Sequence, residues 1–244
     1  MAFEVYIALG DSMTMDDHPA SDAERLGLNC RKDIGAAALL YKNDAQLFPD
    51  LEGKDLASVH PKIMFANLAY DDATTEDMLS EEKMKALHQY STAHCLVTLT
   101  IGGNDMLKIF KAIPANNVKA LTSATQEVHT RYLQLLKLIK ATVPASTILL
   151  TTIYDPTDGT GILPTTTMGT GTLPVTFIEQ FNSFVESCAK RQRATLADVY
   201  SHFRGHGAEC GRKDNFWYSP SQPVEPSYRG ASEIRRVWLD ALGF

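Results

Sequence analysis

The order of apolar and amphipathic segments predicts an α/β fold, a three-layer α/β/α sandwich around a five-stranded parallel sheet, with residues 1–244 forming a single domain. Three observations carry this expectation. Five short apolar runs recur along the chain and lack the in-out alternation of strands with one wet face. Segments with helical spacing of apolar residues lie between them. The one loose stretch, rich in Gly, Thr and Pro, follows the fourth run, which puts a long loop at the C-terminal edge of the sheet, where open α/β sheets bind ligands.

Taken in order, Phe3–Leu9 is the first strand and ends at Gly10. Lys62–Ala69 is the second. A helix over Thr75–Tyr90 follows, opened by Thr74-Thr75-Glu76-Asp77, a cap with acids in the first turn. Cys95–Gly103 is the third strand. Val118–Ala141 places Leu121, Val128, Tyr132, Leu135, Leu136 and Ile139 on one helical stripe. Ser146–Tyr154 is the fourth strand, and the loop Asp155–Pro174 leaves it. Leu173–Arg193 carries Phe177, Phe181, Phe184, Val185 and Cys188 on one face, Ala194–Tyr200 is the fifth strand, and Arg229–Leu242 is a terminal helix. Arg235 and Arg236 read as part of that helix's solvated face.

Composition narrows the function classes. Of 244 residues, 44% are apolar and 21% charged, the balance of a soluble globular domain long enough to bury a core without staples. The net charge is −6 and no run of Lys or Arg occurs, which argues against nucleic acid and anionic membranes as partners. The four cysteines, Cys30, Cys95, Cys188 and Cys210, form no CxxC pair and read as reduced thiols. The N-terminal segment has no basic leader pattern, and no apolar run approaches the roughly 20 residues that span a bilayer. A cytoplasmic soluble protein is the expectation.

The chemistry starts where strands end. In "ALGDSMT", Ser12 follows Gly10 by two residues on a tight strand-to-helix turn, where a hydroxyl is exposed at the sheet edge with helix-start N–H groups nearby. Asp11 and Ser12 serve equally as helix caps, so GDS alone decides nothing. The third strand ends in "TIGGNDM". Gly102 and Gly103 allow close backbone approach, and Asn104 presents an amide able to donate to a developing oxyanion at the same edge as Ser12. Asn104 or Asp105 at this point also suits a helix N-cap.

With both motifs in this order on strands one and three, the chain resembles the SGNH/GDSL hydrolase superfamily over most of its length. The resemblance implies a flavodoxin-like sheet and an esterase, lipase, thioesterase or acyltransferase with Ser12 as nucleophile, Asn104 as oxyanion donor and no cofactor. The family's second block supplies a glycine N–H to the oxyanion hole, and Asp72 in "NLAYDDATT" takes that position. A backbone N–H survives Gly→Asp, but the added carboxylate is electrostatically unfavourable beside an oxyanion. The family's last block, Asp-x-x-His-Pro followed by Gly, aligns with Gln222-Pro223-Val224-Glu225-Pro226 and Gly230. Glu225 therefore stands where histidine is expected, and Gln222 where aspartate is.

Three arrangements answer this departure. Glu225 itself accepts the Ser12 proton, its basicity raised by burial and by Asp11 and Asp72, with Gln222 holding it as a hydrogen-bond donor. Alternatively, His206 or His202, from "DVYSHFRGHGAEC" after the fifth strand, is the base and Glu225 orients it. In the third, the site is silent and the fold is a binding protein. His202, His206 and Cys210 also have loose metal-ligand spacing, but Gly205 interrupts them and no fourth ligand is evident. Asp11, Asp155 and Trp217 are candidate substrate-binding residues, with Tyr218 beside Trp217 as part of an apolar wall.

Overall fold

In a computed structural model, which describes residues 2–162, 174–208, 210 and 215–244, the central element is a five-stranded parallel sheet in the order β2-β1-β3-β4-β5. The strands are β1 (Val5–Gly10), β2 (Met64–Asn67), β3 (Cys95–Thr100), β4 (Ser146–Thr151) and β5 (Thr195–Ala197). Every residue of β1 and β3 is buried, as unbroken apolar runs in the middle of a two-sided sheet require.

The helices are α1 (Asp17–Arg25), α2 (Ala36–Tyr41), α3 (Leu56–Val59), α4 (Thr75–Met78), α5 (Glu81–His88), α6 (Gly103–Ala112), α7 (Val118–Thr142), α8 (Val175–Gln192), α9 (Val199–Phe203) and α10 (Tyr228–Leu242). The helices α1, α2 and α10 pack together as one layer, while α4 to α8 form the other around α7. The α7 stripe is buried as expected, from Leu121 to Ile139. Residues 163–173 of the expected loop Asp155–Pro174, including the expected start of the third helix at Leu173, lie outside the described residues.

Two expectations need correction, and one pair of strands is new. The helix over Thr75–Tyr90 is two helices: Thr74 makes the capping box with Asp77, but Ser80 leaves the helical backbone and accepts from the Lys83 N–H, starting α5 afresh. The stretch around Pro223 is an antiparallel hairpin of β6 (Tyr218–Ser219) and β7 (Gln222–Pro226), packed beside α1 and α10. Its prolines fit because a two-stranded hairpin leaves edge positions that need no N–H. Arg235 is 1% exposed and donates to Asn43 Oδ1 and Ser232 Oγ, both at 2.6 Å, with its guanidinium over the Phe48 ring; Arg236 alone keeps a place at the surface, on Asp50. Among the described residues no helix is long and apolar enough to cross a membrane, and no group of three His, Cys, Asp or Glu could hold a metal ion.

Candidate active site

The nucleophile candidate is positioned by close contact of the two central strands. Gly10 has φ 145°, and a Cβ there would collide with the carbonyl oxygen and Oγ1 of Thr100 on β3. Past it the chain turns at once. Asp11 N donates to the Thr100 carbonyl at 3.0 Å, Thr14 N to the Asp11 carbonyl at 3.0 Å, and Met13 N to Asp11 Oδ1 at 3.2 Å. Ser12 is held in this turn at 7% exposure. The helix expected directly behind it begins only at Asp17, so the polar groups around Ser12 come from the turn itself.

Asn104 lies in the first turn of α6. That helix is capped by Gly102 in the left-handed region (φ 118°), where a Cβ would strike the Phe181 ring, rather than by Asn104 or Asp105. Asn104 Nδ2 donates one hydrogen to the Ala73 carbonyl at 3.1 Å, which orients the amide and leaves its second hydrogen unspent. Asp105 ties the same neighbourhood together. It is buried and accepts from Thr75 N at 2.8 Å, Thr75 Oγ1 at 2.7 Å and Arg131 at 3.2 Å, clamping the start of α4 to α6. Asp72, just before that clamp, has φ 58°, a backbone conformation natural to glycine and tolerated by Asp. This supports its alignment with a glycine. Its side chain is exposed.

Two adjoining cavities meet at these residues. The inner one, about 60 Å³, is bounded by Asp11, Ser12, Asn104 and Glu225 and walled by Met106, Leu107, Phe110, Ile153, Tyr154 and Ile178. The outer one, about 510 Å³, is polar and lined by His18, Asp71, Asp72, Asn104, Lys108, Lys111, Gln222 and Glu225. Glu225 thus borders both. Tyr154 Oη donates to the Val224 carbonyl at 2.8 Å, pinning β7 against the sheet edge beside Ser12. Gly230 completes the placement, since a Cβ there would meet the Trp217 carbonyl that also accepts from Ser227 N and Oγ at 2.9 Å.

The electrostatics are those of crowded carboxyls. Burial, then the charge of Glu225, pushes the Asp11 carboxyl up to about 8. Burial also raises Glu225; the Asp71 and Asp72 carboxylates add to this, while the Ser12 hydroxyl facing it and the His18 imidazole favour its charged form. Glu225 Oε2 is buried, without a hydrogen-bond partner among the described residues. Gln222 does not supply one: among the described residues no hydrogen bond joins it to Glu225, and Gln222 is exposed. Positions three apart along an extended strand face opposite sides, so forming β7 separates a pair that a loop could have joined.

The structure therefore brings together Ser12, Asn104, Asp11, Asp72 and Glu225, and leaves other candidates outside. His206 stacks on Trp217 with ring centroids 3.4 Å apart, its Nδ1 is 2.8 Å from the Asn215 carbonyl, and neither ring lines the cavities. His202 pairs with Glu233 Oε2 at 2.8 Å. Tyr218 is fully buried against Tyr154. Asp155 is buried and spends its oxygens on Thr157 N, Thr157 Oγ1 and Gly159 N, so it braces the loop after β4 and does not line the cavity; Tyr154 and Pro156 on either side do. The histidine at the site is His18, which no motif marked, because its proximity to Glu225 depends on how α1 and the hairpin pack.

The model of the GDSL-like lipase/acylhydrolase family matches residues 6–222. No curated protein sequence matches the chain significantly. Among solved structures, the chain is similar to a putative GDSL-like lipase from Parabacteroides merdae (17% identity, TM-score 0.64, covering 100% of this chain and 97% of that one). It is also similar to phospholipase A1 from Streptomyces albidoflavus (21% identity, TM-score 0.62, covering 99% and 98%). A third is an extracellular lipase from Streptomyces rimosus (20% identity, TM-score 0.58, covering 98% and 97%). At these identities the structural likeness speaks for the fold.

Proposed function

Because the chain belongs to the GDSL-like lipase/acylhydrolase family, a family of ester-hydrolysing enzymes, we propose that it cleaves carboxylic esters through an acyl-enzyme on Ser12, with Glu225 as the proton acceptor. The observation that carries this reading is the meeting of the Ser12 hydroxyl and the Glu225 carboxyl in a cavity that Asn104 also lines. Ser12 Oγ attacks the ester carbonyl while its proton passes to Glu225. The spare Asn104 hydrogen and the Asp72 N–H face the carbonyl oxygen as it gains charge. Glu225 returns the proton to the departing alkoxide, then takes one from the water that cleaves the acyl-enzyme.

A carboxylate of ordinary basicity takes up an alcohol proton poorly, and the raised value of Glu225 narrows that gap. The apolar inner cavity suits a small acyl group, and the polar outer one suits the alcohol portion of the ester. The same outer cavity also admits an acceptor alcohol in place of water, which favours acyl transfer as the second reading.

The test is labelling by a fluorophosphonate together with turnover of short p-nitrophenyl esters. Both are expected in the wild type and lost in Ser12→Ala; turnover is lost in Glu225→Gln and nearly intact in His206→Ala. Labelling and turnover that ignore Ser12 between acidic and neutral pH would sink the enzyme reading and leave a binding protein. Product partitioning toward added alcohol over water would select acyl transfer.

A further inference from the structure

Glu225 stands in an adverse field for a base. Around it are Ser12 and Asp11 from the turn after β1, Tyr154 from the end of β4, and Asp71 and Asp72 from the segment after β2, with Lys108 and Lys111 of α6 further along the outer cavity. Among the described residues its Oε2 has no hydrogen-bond partner, and Gln222 gives it none. For Glu225 to receive the Ser12 proton it must first be ionised, and the neighbouring Asp71 and Asp72 oppose that.

The group that opposes them comes from a different part of the chain. His18, on α1, lines the outer cavity with Glu225, and its Nε2 lies 4.0 Å from Asp71 Oδ2. The two side chains are 28% and 40% exposed, so as a pair they contribute little to stability. Their effect on the more buried Glu225 is another matter, because charge interactions strengthen where water is excluded. A His–Asp pair is absent from the C-terminal block, yet one borders this site from α1 and the β2 loop.

We propose that His18, beside Asp71 across the outer cavity from Glu225, is a positioning residue that favours the ionised form of Glu225 and so its uptake of the Ser12 proton. The inference rests on the reading of Glu225 as the proton acceptor. Asp71 acts in two senses. Its Oδ2 lies 4.0 Å from the imidazole, and its own charge works against Glu225. Asp17, exposed on α1, and Asp72 act on Asp71 in turn.

These roles give opposite signs on substitution. His18→Gln removes a stabilising positive charge, so the folded-state pKa of Glu225 rises. The acidic limb of kcat/KM should move up by about 1 pH unit, the low end of what a nearby opposite charge does to a carboxyl, and the rate on that limb should fall roughly tenfold. His18→Lys restores the charge and should return the limb to the wild-type position or below. Asp71→Asn should move it down.

The experiment is a ¹³C NMR titration of the Glu225 side-chain carboxyl in the full chain, assigned with Glu225→Gln, run beside the pH profile of ester turnover for the three variants. An upward midpoint in His18→Gln that His18→Lys reverses supports the inference, and a downward one in Asp71→Asn adds to it. A midpoint that His18→Gln leaves in place, or a His18→Lys variant that behaves as His18→Gln does, overturns it. The NMR midpoint is independent of catalysis. If it shifts as expected while turnover ignores Ser12, the charge linkage stands and the hydrolase reading falls.

Discussion

Asp11→Asn separates the roles of the two buried carboxyls beside Ser12. Asp11 is 2% exposed, and burial with the charge of Glu225 moves its pKa from 3.8 to about 8. Below that pH it is neutral, and Glu225 carries the site's inner negative charge. Above it a second charge appears beside the position where the oxyanion forms. At a separation of about 5 Å and an effective dielectric of about 20, that repulsion is about 3 kcal/mol, on the order of a hundredfold in rate. The wild type should therefore show a bell-shaped kcat profile whose alkaline limb lies near pH 8. The substituted amide cannot ionise and retains an oxygen as acceptor for the Met13 N–H, so the variant should hold its rate on the alkaline side. At pH 9.5 it should exceed the wild type roughly thirtyfold, as follows from tenfold per pH unit beyond the midpoint. The assay is pH-stat hydrolysis of a short ester, with Ser12→Ala as the blank for spontaneous cleavage. Stability supplies a second readout. A carboxyl whose folded pKa is raised favours the native state at low pH, and that advantage is lost as pH rises from 3.8 toward 8. At about 1.4 kcal/mol for each tenfold change in ionisation, the window is worth up to about 6 kcal/mol, so urea stability of Asp11→Asn relative to the wild type should grow across it and then level off. A variant that keeps the alkaline limb would refute the assignment of that limb to Asp11.

Three further outcomes test the architecture. Asp72→Gly suits the φ of 58°, so stability should change by no more than about 1 kcal/mol, and loss of a carboxylate that raises Glu225 should move the acidic limb of kcat/KM down; a large loss of rate would mean the carboxylate itself is used. Gly10→Ala must push β1 away from Thr100, with an expected loss of about 3 kcal/mol or more in urea unfolding and a fall in kcat, because Ser12 is carried on the same turn. Arg235→Ala empties a buried site and strands Asn43 and Ser232, for an expected loss of about 3 kcal/mol, whereas Arg236→Ala, at a half-exposed pair, should cost about 1 kcal/mol or less in the same measurement.

The chain by itself determined the sheet, the amphipathic helices and the meeting of Ser12 with Asn104. These depend on local periodicity and on one rule of parallel sheets, that strands share their C-terminal edge, so residues just past β1 and β3 become neighbours whatever lies between them. Even the Pro226 and Gly230 spacing was legible, because Gly230 answers a backbone contact with Trp217. Only the tertiary structure decided the charge environment. Gln222 could be separated from Glu225 only once β7 formed a strand, and His206 was turned to Trp217 by the packing of its own loop. His18, Asp71 and Tyr154 reached Glu225 from three separate elements, and Arg235 was buried by α2 and its flanking residues. Secondary-structure periodicity is a property of covalent neighbours, whereas the ionisation of a carboxyl depends on distance and water access to groups far away in the chain. That dependence is why the sequence places Ser12 at the sheet edge without ambiguity, while the charge field around Glu225 had to be read from the fold.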